Sequence, residues 1–551
     1  MNEQGNTPSG QGRDDAGIGT QQAAPAAQSD LIKSDSSALA EMLRIAIPSV
    51  ATMTSYTVMS FADKYMVKDI GEDPVYISAQ SNGSMFVWMT MSFMLGLNGV
   101  INSFVSQNLG AKTPERGAAY AWNGLWLGLV FYAALMLPLL LVVPAFFAQA
   151  HSGNQNLIDL ETQYATIMLL GGIFTISARS VHHYFYGMHR PNVVLISALA
   201  GNLTNVFLNA LLIFGAAGMP VGDGGFATGV LAPITEPIAA LAGMLGIEPM
   251  GIKGAAIATI IGGAIEFAIP FALFLSPRYA RLFGTRKAWA VSWVCLKDLI
   301  KVGFAPGMMF INEMVCWALL MMWLVPKGGE AVGDDPVLHN TVGWIALQYM
   351  HLSFMPAVGI SIATQAMVGK AMGMGRPDIA VARTMLAMKV TVAYMGLCAL
   401  CFVIFREPLI GLFINEQTDP AQRARLIEIG SIIMIAAAVF QIFDAVAITT
   451  SAALRGAGDT VWPGVATIVL SWVCIPGIGL ALIWLVPQLG SIGPWIGASL
   501  YIIGLGIALS LRFYGGKWKT MSLVEQAQKR SESIDLDPMD DVMTDPTVGT
   551  V

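Results

Sequence analysis

Four acidic residues lie inside long apolar stretches of the sequence: Asp63, Glu266, Glu313 and Asp444. Asp63 is the clearest case, because it follows eighteen uncharged residues, 45–62, and precedes Lys64. A carboxylate inside a bilayer is costly and usually belongs to an ion or proton pathway. The alternative is an acid at a helix end that reaches interfacial water and pairs with Lys64. Because the acids recur in several apolar stretches, we favour an ion or proton site.

Neutral oxygen ligands accompany these acids in the first half of the chain. Asn202, Asn205 and Asn209 fall near one face of a predicted helix, at spacings of three and four. Thr259 lies seven residues before Glu266 and shares its helix face. Carboxylate, amide and hydroxyl oxygens suit a small cation or a proton relay. The alternative is ordinary hydrogen bonding between membrane helices, worth about 0.6 kcal/mol each. We prefer ordinary hydrogen bonding for Asn202, and both interpretations stay open for Asn205 and Asn209.

The acids of the second half predict a further site. Glu313 and Asp444 each lie about 15 residues into an apolar segment, which places them near the middle of a bilayer. We find no lysine or arginine at matching depth in the second half, so a structural ion pair is not expected. The two acids are then either protonated or charged and facing water, and both cases are functional.

Other reactive residue types do not form a site in the sequence. The five cysteines lie in or beside apolar segments without the spacing of a zinc site or a disulfide framework. His182 and His183 fall near a predicted helix end, where we expect interfacial water to solvate them. No nucleophile with its base and no cluster of metal ligands is found, so we predict no enzyme, no metal site and no cofactor beyond a coupling ion.

Composition shows which elements position these residues. The chain has 551 residues, of which 55% are hydrophobic and only 12% charged, with a mean hydropathy of +0.61. A soluble chain usually has about 25% charged residues. Twelve apolar segments follow one another, the first at 44–66, the third at 119–149 and the last at 491–513. We therefore predict an all-α polytopic membrane protein with twelve transmembrane helices.

Basic residues predict the orientation of the chain. With the first tail placed in the cytoplasm, the inner ends of the segments hold 19 Lys or Arg and the outer ends seven. Basic residues concentrate on the cytoplasmic side of membrane proteins, so both termini are predicted to be cytoplasmic. The protein itself is predicted to lie in the cell inner (plasma) membrane. The formal charge of −6 comes largely from the tails and indicates no nucleic-acid partner.

The two halves of the chain resemble each other at three places. V-S-Q-N-L-G-A-K-T-P-E from Val105 matches V-G-K-A-M-G-M-G-R-P-D from Val368, with an offset of 263. Gly187 matches Gly456, and G-I-K-G-A-A-I from Gly251 matches G-S-I-G-P-W-I from Gly490. Two repeats of six helices start on the same side. They predict two parallel six-helix bundles around a central cavity, which is a transporter architecture.

These matches divide the chain into domains. We predict a disordered cytoplasmic tail (1–40), a first lobe (41–276), a cytoplasmic linker (277–296), a second lobe (297–513) and a disordered acidic tail (514–551). A smaller offset in the third match places an external insertion at 216–250. Its apolar piece from Pro237 to Leu245 is too short to span and is expected to lie on the bundle or at the interface.

Several motifs together resemble the multidrug and toxic compound extrusion (MATE) family. They include A-D-K-Y-M-V from Ala62, N-V-F-L-N-A-L-L-I-F-G from Asn205, G-A-A-I-A-T from Gly254, G-K-A-M-G-M-G-R-P from Gly369 and A-L-R-G-A-G-D-T from Ala453. The motifs occur in family order between residues 40 and 513. The resemblance implies export of organic cations and amphipathic compounds by alternating access, driven by inward flow of sodium or protons.

The resemblance also implies roles for individual residues. Asp63, Asn205, Asn209 and Thr259 match the cation site of the first lobe; Glu313 and Asp444 match second-lobe acids that bind the ion or the substrate. The chain departs from the family where Asn209 replaces an Asp common in relatives and where Lys64 follows the key Asp. The insertion 216–250 is longer than expected.

The resemblance leaves one main alternative function. A flippase for lipid-linked saccharides has the same superfamily architecture, but its phosphate-bearing cargo calls for Arg or Lys in the cavity. The mid-helix charges identified above are all acidic, which favours a cationic or neutral small molecule. The expected partners are therefore small cationic or amphipathic substrates and the lipid bilayer, and we expect a monomer. Coupling to sodium is slightly favoured over protons, because neutral oxygens help a hard cation more than a proton.

Overall fold

The computed structural model describes residues 38–70, 75–150, 154–220, 226–414 and 420–525, with 226–234 as backbone only. Twelve of its helices are long and apolar enough to cross a membrane. They are α1 (Ala38–Lys68), α2 (Val75–Gly110), α3 (Pro114–Leu139), α4 (Gln155–Gly187), α5 (Pro191–Ala217), α6 (Ile252–Phe274), α7 (Trp293–Ala331), α8 (Pro336–Gly373), α9 (Pro377–Ile404), α10 (Pro420–Ala457), α11 (Val461–Leu485) and α12 (Ile492–Tyr514). The twelve predicted segments overlap these spans one by one, which confirms the all-α polytopic fold. The third prediction was too long, because a separate helix, Val143–Ala150, follows α3.

Matching backbone turns support the repeat that the sequence indicates. Lys112 and Gly375, which are 263 positions apart, both have positive φ just before a proline that starts a helix. The second match pairs His189 (φ 56°) with Gly458 (φ 97°), and the third pairs Gly251 (φ 55°) with Gly490 (φ 54°). Positive φ is uncommon outside glycine. Its recurrence at all three matches shows that the halves share local structure as well as sequence.

The two lobes contact each other through small residues. We define the termini side as the side on which residues 38 and 525 lie, and the loop side as the opposite one. Gly96 of α2 lies against the Pro306 carbonyl of α7, and Gly359 of α8 lies against Val50 of α1. The pairs α1–α8 and α2–α7 exchange under a twofold axis along the membrane normal, as parallel repeats require.

Polar contacts close the termini side. Glu41 of α1 forms ion pairs with Lys370 of α8 at 3.5 Å and with Arg383 of α9 at 2.6 Å. The side-chain nitrogen of Gln107 on α2 donates to the Gly456 carbonyl at 2.9 Å, and Gln365 of α8 donates to the Gly99 carbonyl at the same distance. All of these contacts join one lobe to the other at the termini side.

The start of the C-terminal tail is packed on the bundle, and this corrects the prediction of disorder from residue 514. Trp518 is buried and its ring stacks on Phe513 at 4.9 Å between centroids. Leu523 is also buried, and its backbone nitrogen donates to Oε1 of Gln107 at 2.9 Å. The tail of the second lobe is therefore bonded to the first lobe. The tail prediction for 1–37 and 526–551 lies outside the described residues.

The insertion between α5 and α6 contains a helix, Phe226–Leu245, that packs on α5. Its described apolar part, Thr235–Leu245, is shorter than the bilayer requires. Ala242 is fully buried, whereas Met244 and Leu245 are exposed. The helix therefore covers the loop-side end of α5, one of the two places expected for it.

Orientation in the membrane is testable with single cysteines at exposed positions. We expect Glu330→Cys, on the loop side, to react with an impermeant thiol reagent in whole cells, because the basic residues predict that this side is external. Lys519→Cys, on the termini side, should react only after permeabilisation. The unsubstituted protein controls for its five native cysteines. Labelling of the Lys519→Cys protein in intact cells would contradict the predicted orientation.

Candidate cation sites

The four residues predicted for the first-lobe site are joined by a chain of hydrogen bonds. Nδ2 of Asn209 donates to Oδ1 of Asp63 at 2.6 Å and to Oδ1 of Asn205 at 3.2 Å. Nδ2 of Asn205 donates to the Thr259 hydroxyl at 3.1 Å. The site therefore links α1, α5 and α6 in the loop-side half of the lobe. The structure thus brings together residues that lie almost 200 positions apart in the sequence.

The hydrogen bonds leave one buried oxygen of this site unused. Asp63 is 8% exposed and Asn209 only 1%. Oδ1 of Asn209 is buried, and no hydrogen-bond partner reaches it within the described part of the chain. An unpaired buried carbonyl oxygen costs free energy unless something binds it. Together with the Asp63 carboxylate it provides the hard oxygens that a small cation prefers.

Lys64 does not occupy this site. Its side chain is exposed, whereas Asp63 beside it is buried. Neighbouring residues of a helix point about 100° apart, so the two side chains leave α1 in different directions. The Lys64 charge faces His351 of the second lobe. Lys64 therefore does not fill the candidate cation position beside Asp63.

A second polar cluster lies in the same lobe, closer to the termini side. Its centre is Glu266 of α6, which accepts a short hydrogen bond from the Tyr56 hydroxyl of α1. Arg179 of α4 lies over the Tyr56 ring, 5.1 Å from its centroid. Nδ1 of His182 lies 3.7 Å from Oε1 of Glu266. Nε2 of the same ring contacts the Ser197 hydroxyl at 3.4 Å.

This cluster contradicts two interpretations of the sequence. His182 is fully buried and is not solvated at an interface, although its position near a helix end suggested that. The mid-helix charges that the sequence analysis identified are all acidic, yet Arg179 also lies within a span, α4, and faces the other members of the cluster. The signal that identifies it is its spacing of three residues before His182, which places both on one helix face.

The second-lobe acids also lie close together. Glu313 of α7 accepts a hydrogen bond from the Tyr501 hydroxyl of α12 at 3.1 Å. Asp444 of α10 lies within electrostatic range of Glu313, and both side chains are half-buried. Asn312, beside Glu313, donates to the Ser471 hydroxyl at 2.8 Å, which connects α7 with α11. The pair of acids and the Tyr501 hydroxyl thus come from α7, α10 and α12, and α11 is joined to α7 beside them.

One cation lies closer to these acids than the sequence suggested. The Arg455 charge reaches Glu313, although we expected no lysine or arginine at matching depth. The two residues lie on different helices, and sequence depth does not predict how far a long side chain extends. Arg455 donates to the Ser451 hydroxyl at 2.9 Å. Among the described residues, no ion pair within 4.0 Å joins it to either acid.

An apolar cavity of about 690 Å³ lies where the lobes meet laterally. Its walls come from α1, α5, α8 and α9, and include Met42, Met59, Leu203, Ile360 and Val390. Ser55 and Asn202 contribute polar groups, but they are hydrogen-bonded to each other at 3.0 Å. A wall of flexible methionine and aliphatic side chains adapts to apolar ligands of different shape.

The twelve spans, the parallel repeats and the buried acids define a two-lobed membrane transporter. The sequence matches the MatE family over residues 48–211 and 308–479, more than half of the chain. The chain therefore belongs to the MATE family of multidrug efflux transporters.

Individual relatives agree with this assignment. "Probable multidrug resistance protein NorM" of Chromobacterium violaceum is 25% identical over 475 residues, which cover 85% of this chain and 91% of that protein. The protein of the same description from Mesorhizobium japonicum is 26% identical, with the same two coverages. Two solved structures share the fold at 19% identity. One is the outward-facing conformation of a multidrug resistance MATE family transporter, with a TM-score of 0.73 over 92% of this chain and 99% of the other. The second is a MOP superfamily transporter from Pyrococcus furiosus, with a TM-score of 0.72 over 88% and 96%.

Proposed function

We propose that this transporter exports organic cations and amphipathic compounds in exchange for sodium, which binds at Asp63. The single observation that carries the proposal is the buried, unpaired Oδ1 of Asn209, a residue whose amide nitrogen donates to the Asp63 carboxylate. A proton needs one carboxylate only, whereas sodium needs several oxygens to replace its water. Asn205 and Thr259 supply further neutral oxygens at the same depth.

The second lobe provides the complementary charges for cargo. Glu313 and Asp444 present two acids without a direct ion pair, which suits a cationic substrate or a second coupling ion. With both termini in the cytoplasm, the contacts of the termini side close the described conformation toward the cytoplasm. We propose that the coupling ion binds and the cargo leaves in a conformation that is closed on that side.

The flippase alternative calls for a cation that is free to bind phosphate. Arg179 is an interior cation, but Tyr56 and Glu266 of its own cluster occupy its surroundings. Arg455 is likewise engaged with Ser451. These contacts favour cationic cargo over phosphate-bearing cargo.

The test is ethidium efflux from proteoliposomes with sodium and proton gradients imposed separately. We expect a sodium gradient to drive efflux and Asp63→Asn to abolish it. Asn209→Ala should weaken the apparent sodium affinity about tenfold, the effect of losing one ligand worth about 1.4 kcal/mol. Asn192→Ala, an exposed position at the start of the same helix, is the matched control. Efflux driven by a pH gradient alone and unchanged in Asn209→Ala would contradict sodium coupling.

A further inference from the structure

The first lobe contains two polar layers built on the same three helices. The loop-side layer contains Asp63, Asn209 and Thr259; the second layer contains Tyr56, Asn202 and Glu266. On α1, α5 and α6 alike, the members of the two layers are seven residues apart. Seven residues make nearly two helical turns, so the layers are stacked about 10 Å apart.

The charges of the two layers do not cancel. Asp63 is the acid of the loop-side layer, and Glu266 is the acid of the second layer. Arg179 of α4 adds one permanent positive charge to the second layer, because a guanidinium does not lose its proton in proteins. The sum is one negative charge, which one monovalent cation neutralises.

The other groups that face Glu266 add no permanent charge. From α4 these are His182 and Tyr186, and from α1 it is Tyr56. From α5 the nearest residue is Gly201, whose backbone packs against Glu266. Glu161 also lies on α4, but it accepts a hydrogen bond from Asn82 and belongs to neither layer.

We propose that Arg179 is a specificity-determining residue, whose charge sets how much positive charge the Asp63 site binds. It offsets Glu266 across the Tyr56 ring and leaves the single net charge of Asp63 for the coupling ion. The inference rests on the proposed cation site. Arg179 does not touch that site, so its effect acts through the field of a charge about 10 Å away.

Charge variants give opposite predictions for this field. Arg179→Gln leaves two negative charges, so sodium affinity should rise about tenfold and Ca²⁺ should begin to compete with sodium. Glu266→Gln leaves no net charge and should lower sodium affinity about tenfold, while the amide oxygen still accepts the Tyr56 hydrogen bond. The double variant restores the original net charge of the two layers and should return close to the wild-type sodium affinity. Arg179→Lys keeps the positive charge and should also have a sodium affinity close to that of the wild type.

The measurement is equilibrium binding of radioactive sodium to the purified full-length protein, with and without Ca²⁺. The midpoint pH of ethidium efflux is recorded for the same variants. If Arg179→Gln and Glu266→Gln both weaken sodium binding and the double variant is worse than either, the cluster is structural and the proposal is overturned.

If the wild-type protein binds no sodium, the proposal of sodium coupling fails. The proposal then requires the pH midpoint to rise in Arg179→Gln, fall in Glu266→Gln and recover in the double variant, and unchanged midpoints overturn it.

Discussion

Glu313→Gln and Asp444→Asn are expected to insert into the membrane normally and to lose ethidium efflux by roughly tenfold or more. Neither acid has an ion pair within 4.0 Å in the described chain, so neutralising it breaks no direct pair, and the more distant Arg455 keeps its hydrogen bond to Ser451. Glu313→Gln also keeps an oxygen that accepts the Tyr501 hydrogen bond. The change therefore removes the charge that attracts a cation and little of the packing.

The measurement compares efflux rates at equal protein content, with thermal unfolding in detergent as the check on folding. Asp378→Asn is the matched control, because this acid is exposed and pairs with Arg376 at the start of α9. Wild-type efflux in both Glu313→Gln and Asp444→Asn would show that the second-lobe acids do not take part in transport.

Gly373→Ala is expected to prevent tight closure of the termini side. A Cβ at this position would fall inside contact distance of the Gln107 carbonyl oxygen, which belongs to the backbone of the other lobe. Neither helix can move away without separating α2 from α8, and overpacking of this kind costs about 1–3 kcal/mol. A change of that size shifts a two-state equilibrium by roughly five- to 150-fold, so the closed conformation loses population.

A single cysteine at Ser106, which is fully buried in the lobe interface, reports this change. We expect its reaction with a thiol reagent from the termini side to become much faster when Gly373→Ala is added. Gly396→Ala is the matched control, since a Cβ at this helical glycine meets open space. Equal reaction rates in both backgrounds would mean that the interface accommodates the methyl group.

The spans, and the proximity of the residues of the candidate first-lobe site, were predictable because each depends on a periodic signal. Apolar length indicated the twelve helices, and spacings of three, four and seven placed Asn205, Asn209 and Thr259 on the faces that meet at Asp63. The positive φ at Lys112 and Gly375 was not predicted, but it is consistent with the repeat that the sequence showed.

The second polar layer was less accessible to sequence reasoning. Arg179 lies eight residues before the end of α4, where a basic residue usually extends to the interface. Its contact with Tyr56 brings together residues more than a hundred positions apart, and no local pattern encodes that pairing. The packed segment around Trp518 was missed for a similar reason, because a short polar sequence after the last span predicts a tail.

The bond between Leu523 and Gln107 makes the end of the second lobe part of the closure. Gln107 is held from two positions of the other lobe, and each hydrogen bond contributes about 1 kcal/mol when it stays shielded from water. Lobes that part on this side must break both of these hydrogen bonds, so the packed tail stabilises the closed side. A fusion partner or an antibody that pulls on the packed segment around Trp518 is therefore expected to change how often the termini side opens, without touching either candidate cation site.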